Sequence, residues 1–151
     1  MMRTTSQTAL RARTLTSSTV EGRATKLAGK VALLHVGEPT YGAMLALRYA
    51  REGADVALVY PEPCAELEQV QQQIESLGAR CVLYEVDLED SWNCGLVVQS
   101  TTECLGPVDI VVDARGAVVL VEEGEELTPR QLQTAVSARA SDSRGATHSA
   151  A

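Results

Sequence analysis

The chain has 151 residues, enough for one ordinary domain with unstructured ends, and its 45% hydrophobic content is sufficient for a core. With no Phe and a single Trp that core is aliphatic, and its richness in Val, Leu and Ala suits a sheet covered by helices on both faces. A formal charge of −7 repels polyphosphate backbones and argues against nucleic-acid binding, and the chain holds no apolar run near the roughly 20 residues that span a bilayer.

Residues 1–26 are rich in Ser and Thr and carry Arg3, Arg11, Arg13, Arg23 and Lys26 against one acid, Glu21. So little apolar surface cannot offset the entropy of ordering, which predicts a flexible arm, although an organelle transit peptide has a similar composition. Val31 to Leu34 is apolar without alternation, as in a strand buried on both faces. Thr40 is placed to cap a helix whose inner face is Met44, Leu45, Leu47 and Ala50, and Gly53 ends it. Asp55 to Tyr60 reads as a second strand. Leu67, Val70, Ile74 and Leu77 recur at helical spacing, so a helix is expected from about Cys64 to Leu77, with Glu66, Glu68, Gln69, Gln71, Gln72, Gln73 and Glu75 on a solvated face.

Cys81 to Val86 follows as a third strand, Ser91 to Leu105 as a helix stopped by Gly106 and Pro107, and Val108 to Val112 as a fourth strand. The resulting β-α-β-α-β-α-β order implies parallel strands joined by right-handed crossovers. Val118 to Val121 is a short strand or a buried loop, ahead of the acidic run Glu122, Glu123, Glu125 and Glu126. Thr128 and Pro129 start a last helix that fades near Arg139, and residues 140–151 read as a disordered tail. The expected fold is therefore α/β, a partial Rossmann-like parallel sheet of about four strands in the order 3-2-1-4, occupying residues 27–139. Cys64, Cys81, Cys94 and Cys104 have no CxxC spacing and no clustered His, so no metal site is expected and four reduced thiols in a cytoplasmic protein are.

Several segments in order carry a likeness: KLAGKVALL from Lys26, YAREGADVALVY from Tyr49, GARCVLYEVDLED from Gly78, Cys94, LGPVDIVV from Leu105 and LTPRQL from Leu127. From Lys26 to about Arg139 the chain resembles the N-terminal half of a short-chain dehydrogenase/reductase, within a bacterial subgroup that has an N-terminal extension. The resemblance implies NAD or NADP held by a TGxxxGxG turn at the strand ends. Here the turn reads His35, Val36, Gly37, Glu38, Pro39, Thr40, Tyr41, Gly42. The first two motif glycines are replaced by Val36 and Thr40, Pro39 removes an N–H donor, and Glu38 adds a charge that repels phosphate. Cofactor-facing positions carried over are Gly37, Gly42, Tyr60 at the ribose-selecting strand end, and Asp87 with Leu88 at the adenine contact. Asp87 read without the family is equally a turn-capping residue. The family's NNAG reads Asp113, Ala114, Arg115, Gly116, and its later Asn aligns with Arg139.

The resemblance also implies a catalytic Ser and a Tyr-x-x-x-Lys pair downstream, and none of the four tyrosines has Lys four residues on. No catalytic residue is assigned. Lone His35 reads as a turn or core residue, and His148 and the Ser141-Asp142-Ser143 run lie in the tail. Two functions follow. One is a non-catalytic relative, without cofactor, that acts by forming a homo-oligomer or joining a full-length homologue, because the sheet of relatives continues past the fourth strand and leaves this one with an open edge. The other is an NAD(P)- or adenine-nucleotide-binding, oxidoreductase-related protein with an altered phosphate turn. A decayed or frameshifted gene product fits the change of character after Arg139.

Overall fold

A strand can be apolar at every position only where helices cover both faces, and residues 31–34, 55–60 and 81–84 are all buried. A computed structural model describes residues 2–4, by their backbone alone, and residues 26–137. Strand β1 is Met2–Thr4, β2 is Val31–His35, β3 is Asp55–Tyr60, β4 is Cys81–Glu85, β5 is Ile110–Val112 and β6 is Val118–Leu120. Helix α1 spans Pro39–Arg51, α2 Ala65–Ser76 and α3 Ser91–Cys104, and residues 129–137 form α4. The sheet order is β1-β4-β3-β2-β5-β6. Its middle four strands are parallel and stand in the expected 3-2-1-4 arrangement. Each edge adds a short antiparallel strand, β1 against β4 and β6 against β5. The rest of the expected arm and the tail lie outside the described residues.

Alternation along the strands divides the core in two. Ala32, Leu34, Val56, Leu58, Cys81, Leu83, Ile110 and Val112 pack beneath α1 and α2, while Val31, Leu33, Ala57, Val59, Val82, Tyr84 and Val111 pack with residues of α3 and α4. Helix α1 departs from expectation at Met44, while Ala50 is buried and Leu45 and Leu47 pack partly buried against the core as expected. Gly42, Ala43, Ala46 and Ala50 are buried and Met44 is exposed, so small side chains let the helix lie close to the sheet. Helix α2 departs at Gln71, which is buried and donates from Nε2 to the Cys81 carbonyl at 3.0 Å, not solvated with its neighbours.

The amino ends of the strands are tied by charge. Asp55, buried at the start of β3, receives the Arg80 backbone N–H and, on Oδ2, Nη2 of the guanidinium at 3.0 Å. The same guanidinium donates to the Cys104 and Leu105 carbonyls, closing the C-terminus of α3. Asp109 Oδ2 accepts from the Val31 N–H at 2.9 Å. The opposite, carboxyl ends of the strands are thus left as the place where loops meet.

No described helix is long and apolar enough to cross a membrane.

Candidate cofactor crevice

Strands β2 and β5 lie side by side, yet the chain leaves β2 toward β3 on one side and reaches β5 from β4 on the other. The carboxyl ends of these two strands therefore form the switch-point crevice where open α/β sheets take ligands. All five carried-over positions come to this edge of the sheet: Gly37 and Gly42 follow β2, Tyr60 ends β3, and Asp87 and Leu88 follow β4.

The turn after β2 is closed by its own residues. Val36 continues the ladder by donating to the Val59 carbonyl, and its buried side chain lies over Gly42 so closely that a Cβ on Gly42 would fall 2.6 Å from Val36 Cγ1. The N-cap of α1 is Glu38, with Pro39 in the first turn, and not the expected Thr40. Proline's fixed φ starts the helix two residues earlier than a Thr40 cap would. The Glu38 carboxylate accepts the N–H groups of Tyr41 at 2.8 Å and Thr40 at 3.2 Å, and its carbonyl accepts from Gly42. These backbone hydrogen bonds hold its carboxyl below the ordinary value, so it stays ionised. Every amide of the first turn is thus missing or already bonded within the chain.

The β5 side closes over the same space. Gly37 sits against Ala114, where an added Cβ would come within 2.7 Å of Ala114 Cβ. The Tyr41 ring crosses to the far loop, lies on Gly116 and donates from its hydroxyl to the Arg115 carbonyl at 3.4 Å. That loop is a tight reversal: Asp113 Oδ1 accepts from the Arg115 and Ala117 N–H groups, and Gly116 takes a φ of 90°, which only glycine adopts freely. The reversal carries the chain back as β6, so the fourth strand is paired along its outer edge, and among the described residues the open edge moves to β6. Val118, Val119 and Leu120 are 48%, 46% and 70% exposed, which corrects the alternative of a buried loop here.

Tyr60 and Leu88 are buried in the two cores. Asp87 is exposed, its Oδ1 accepts the Glu89 N–H at 2.9 Å, and its carbonyl accepts from Asn93. Two residues escaped the sequence reading: Tyr41, which bridges the crevice, and Gln133, whose Nε2 donates to the Glu89 carbonyl and pins α4 to the loop after β4. Only the family alignment of the two loops could have flagged Tyr41, since it needs both turns in one place.

Chemistry available here is limited. His35 is half-buried at the end of β2, and among the described residues its Nδ1 has no hydrogen-bond partner. Burial lowers its pKa from the usual 6.5, against the pull of Asp113, Asp87 and Glu89. Burial pushes the Cys81 and Cys94 thiols up, which suits packing and not nucleophilic attack. Among the described residues no group of three or more His, Cys, Asp or Glu side chains could hold a metal ion.

The sequence pattern described as short chain dehydrogenase matches residues 30–139. The chain belongs to the short-chain dehydrogenase family. It is 35% identical to general stress protein 39 of Bacillus subtilis over 109 residues, which are 72% of this chain and 38% of that protein. A short-chain dehydrogenase/reductase from Serratia marcescens superposes with a TM-score of 0.54 at 28% identity, over 72% of this chain and 45% of its own. An NAD+-bound xylitol dehydrogenase superposes with a TM-score of 0.51 at 28% identity, over 57% of this chain and 33% of its own. The chain spans less than half the length of each. In this short-chain dehydrogenase Val36 packs over Gly42, and the Thr40 and Tyr41 amides of the first turn are bonded to Glu38.

Proposed function

We propose that this chain is a non-catalytic short-chain dehydrogenase that acts by associating with another copy or with a full-length homologue. The observation that carries the reading is the edge of β6, which no described strand covers and which holds three exposed apolar residues at the end of the sheet. Edges of that kind template pairing unless charge or proline blunts them, and β6 has neither. The closed turn supports a role without NAD(P). A cytoplasmic location accompanies this reading, since none of Cys64, Cys81, Cys94 and Cys104 is in a disulfide.

A second reading, an NAD(P)- or adenine-nucleotide-binding protein with an altered turn, draws on the convergence of Gly37, Gly42, Tyr60, Asp87 and Leu88 at one sheet edge. Calorimetric titration with NADH and with ADP-ribose, with mass followed by light scattering, separates the two. The expected result is no heat at millimolar ligand and a mass above that of one chain at micromolar protein. Saturable heat that Asp87→Asn removes, in a protein of single-chain mass, would place the second reading first.

A further inference from the structure

Resting on the association reading above, we propose that β6 is a self-complementary joint through which two copies pair antiparallel about a two-fold axis at Val119. The register follows from backbone parity. The Asp113 N–H donates to the Ala117 carbonyl and the Val121 N–H to the Asp109 carbonyl, so Ala117, Val119 and Val121 turn their polar groups inward to β5. Val118 and Leu120 then turn theirs outward, on a side that no described strand covers.

A two-fold at Val119 sets Val118 opposite Leu120 of the second copy, and Leu120 opposite its Val118. Each outward N–H then meets an outward carbonyl. Charge selects the antiparallel sense. The run Glu122, Glu123, Glu125 and Glu126 leaves β6 at one end, so a parallel joint would lay two acidic runs together in chains of formal charge −7. The antiparallel joint sends the runs to opposite ends. A three-residue strand is a small contact, and stable interfaces cover on the order of 1,000 Å² or more. The additional area is at hand on both faces of the sheet. Leu120 and Val118 border a cleft of about 390 Å³ with Leu27, Leu45 and Tyr49, and Val119 borders a groove of about 780 Å³ that reaches α4.

The test uses the full chain. Val119→Cys faces itself across the axis in a non-hydrogen-bonded pair, roughly 4.5 Å between Cα atoms, and mild oxidation is expected to give a reducible dimer. Val118→Cys lies diagonally from its counterpart, beyond the reach of about 7 Å, and gives none, like the wild type oxidised alongside it. Leu120→Pro deletes one outward N–H and keeps the inward ladder, so light scattering should read single-chain mass with circular dichroism unchanged. Leu120→Lys should give the same result while keeping the N–H. A multimer that survives both variants, with no Val119→Cys cross-link, overturns the β6 joint and leaves association through another surface. Wild-type chain that scatters as one copy overturns the β6 joint and the self-association reading together, leaving of that reading only a full-length homologue as partner.

Discussion

Val36 and Gly42 act as a pair, and their coupling is measurable. Gly42→Ala would force a Cβ to within 2.6 Å of a buried valine methyl, and overpacking of that kind costs about 1–3 kcal/mol. Urea unfolding should show that loss, and the double variant with Val36→Ala should recover part of it. His35 predicts a pH effect of definite sign. Its folded pKa lies below the usual 6.5, so the unfolded chain takes up the proton first, and stability falls as pH drops from 6.5 toward the folded value. Urea midpoints at pH 7.5 and 5.5 should differ in that direction, and His35→Gln should narrow the difference. At this scale the sequence was informative where chemistry is local. His35 as a turn or core residue, and Asp87 as a turn cap, follow from residue type and neighbours. Tyr41 and Gln71 were not legible, because each finds its partner across space, Tyr41 at Arg115 and Gln71 at Cys81.

Among the elements, the four parallel strands could be read because their apolar runs are bounded by Gly53, Gly78 and Gly106, each with positive φ at a helix end. Strand β6 could not be settled, since Val-Val-Leu-Val ahead of glutamates suits an edge strand and a loop equally well. Met-Arg-Thr in β1 has no pattern at all. What joins β3, the loop before β4 and the end of α3 is the Asp55–Arg80 pair, with side chains 1% and 11% exposed. Arg80→Ala would leave a buried carboxylate uncompensated, and breaking one side of such a pair costs about 3–5 kcal/mol. Thermal unfolding followed by circular dichroism should register the loss, and Arg80→Lys should recover only part of it, lacking the fork that reaches Asp55, Cys104 and Leu105 together.

For the molecule as a whole, family and topology were recoverable because several segments matched in order, and no single one had to be decisive. The site was less so: the departures at Val36, Pro39 and Thr40 were plain in the sequence, but that the vacated space is taken by the chain itself required both loops in three dimensions. The hairpin at Asp113 has a consequence for rescue experiments. Because β6 runs against β5, it holds the seat that a strand from the C-terminal half of a relative would need in order to extend the parallel array. Supplying that half as a separate polypeptide should therefore give complementation that is slow and steeply temperature-dependent, gated by peeling of β6. Deleting residues 117–121 should remove the delay.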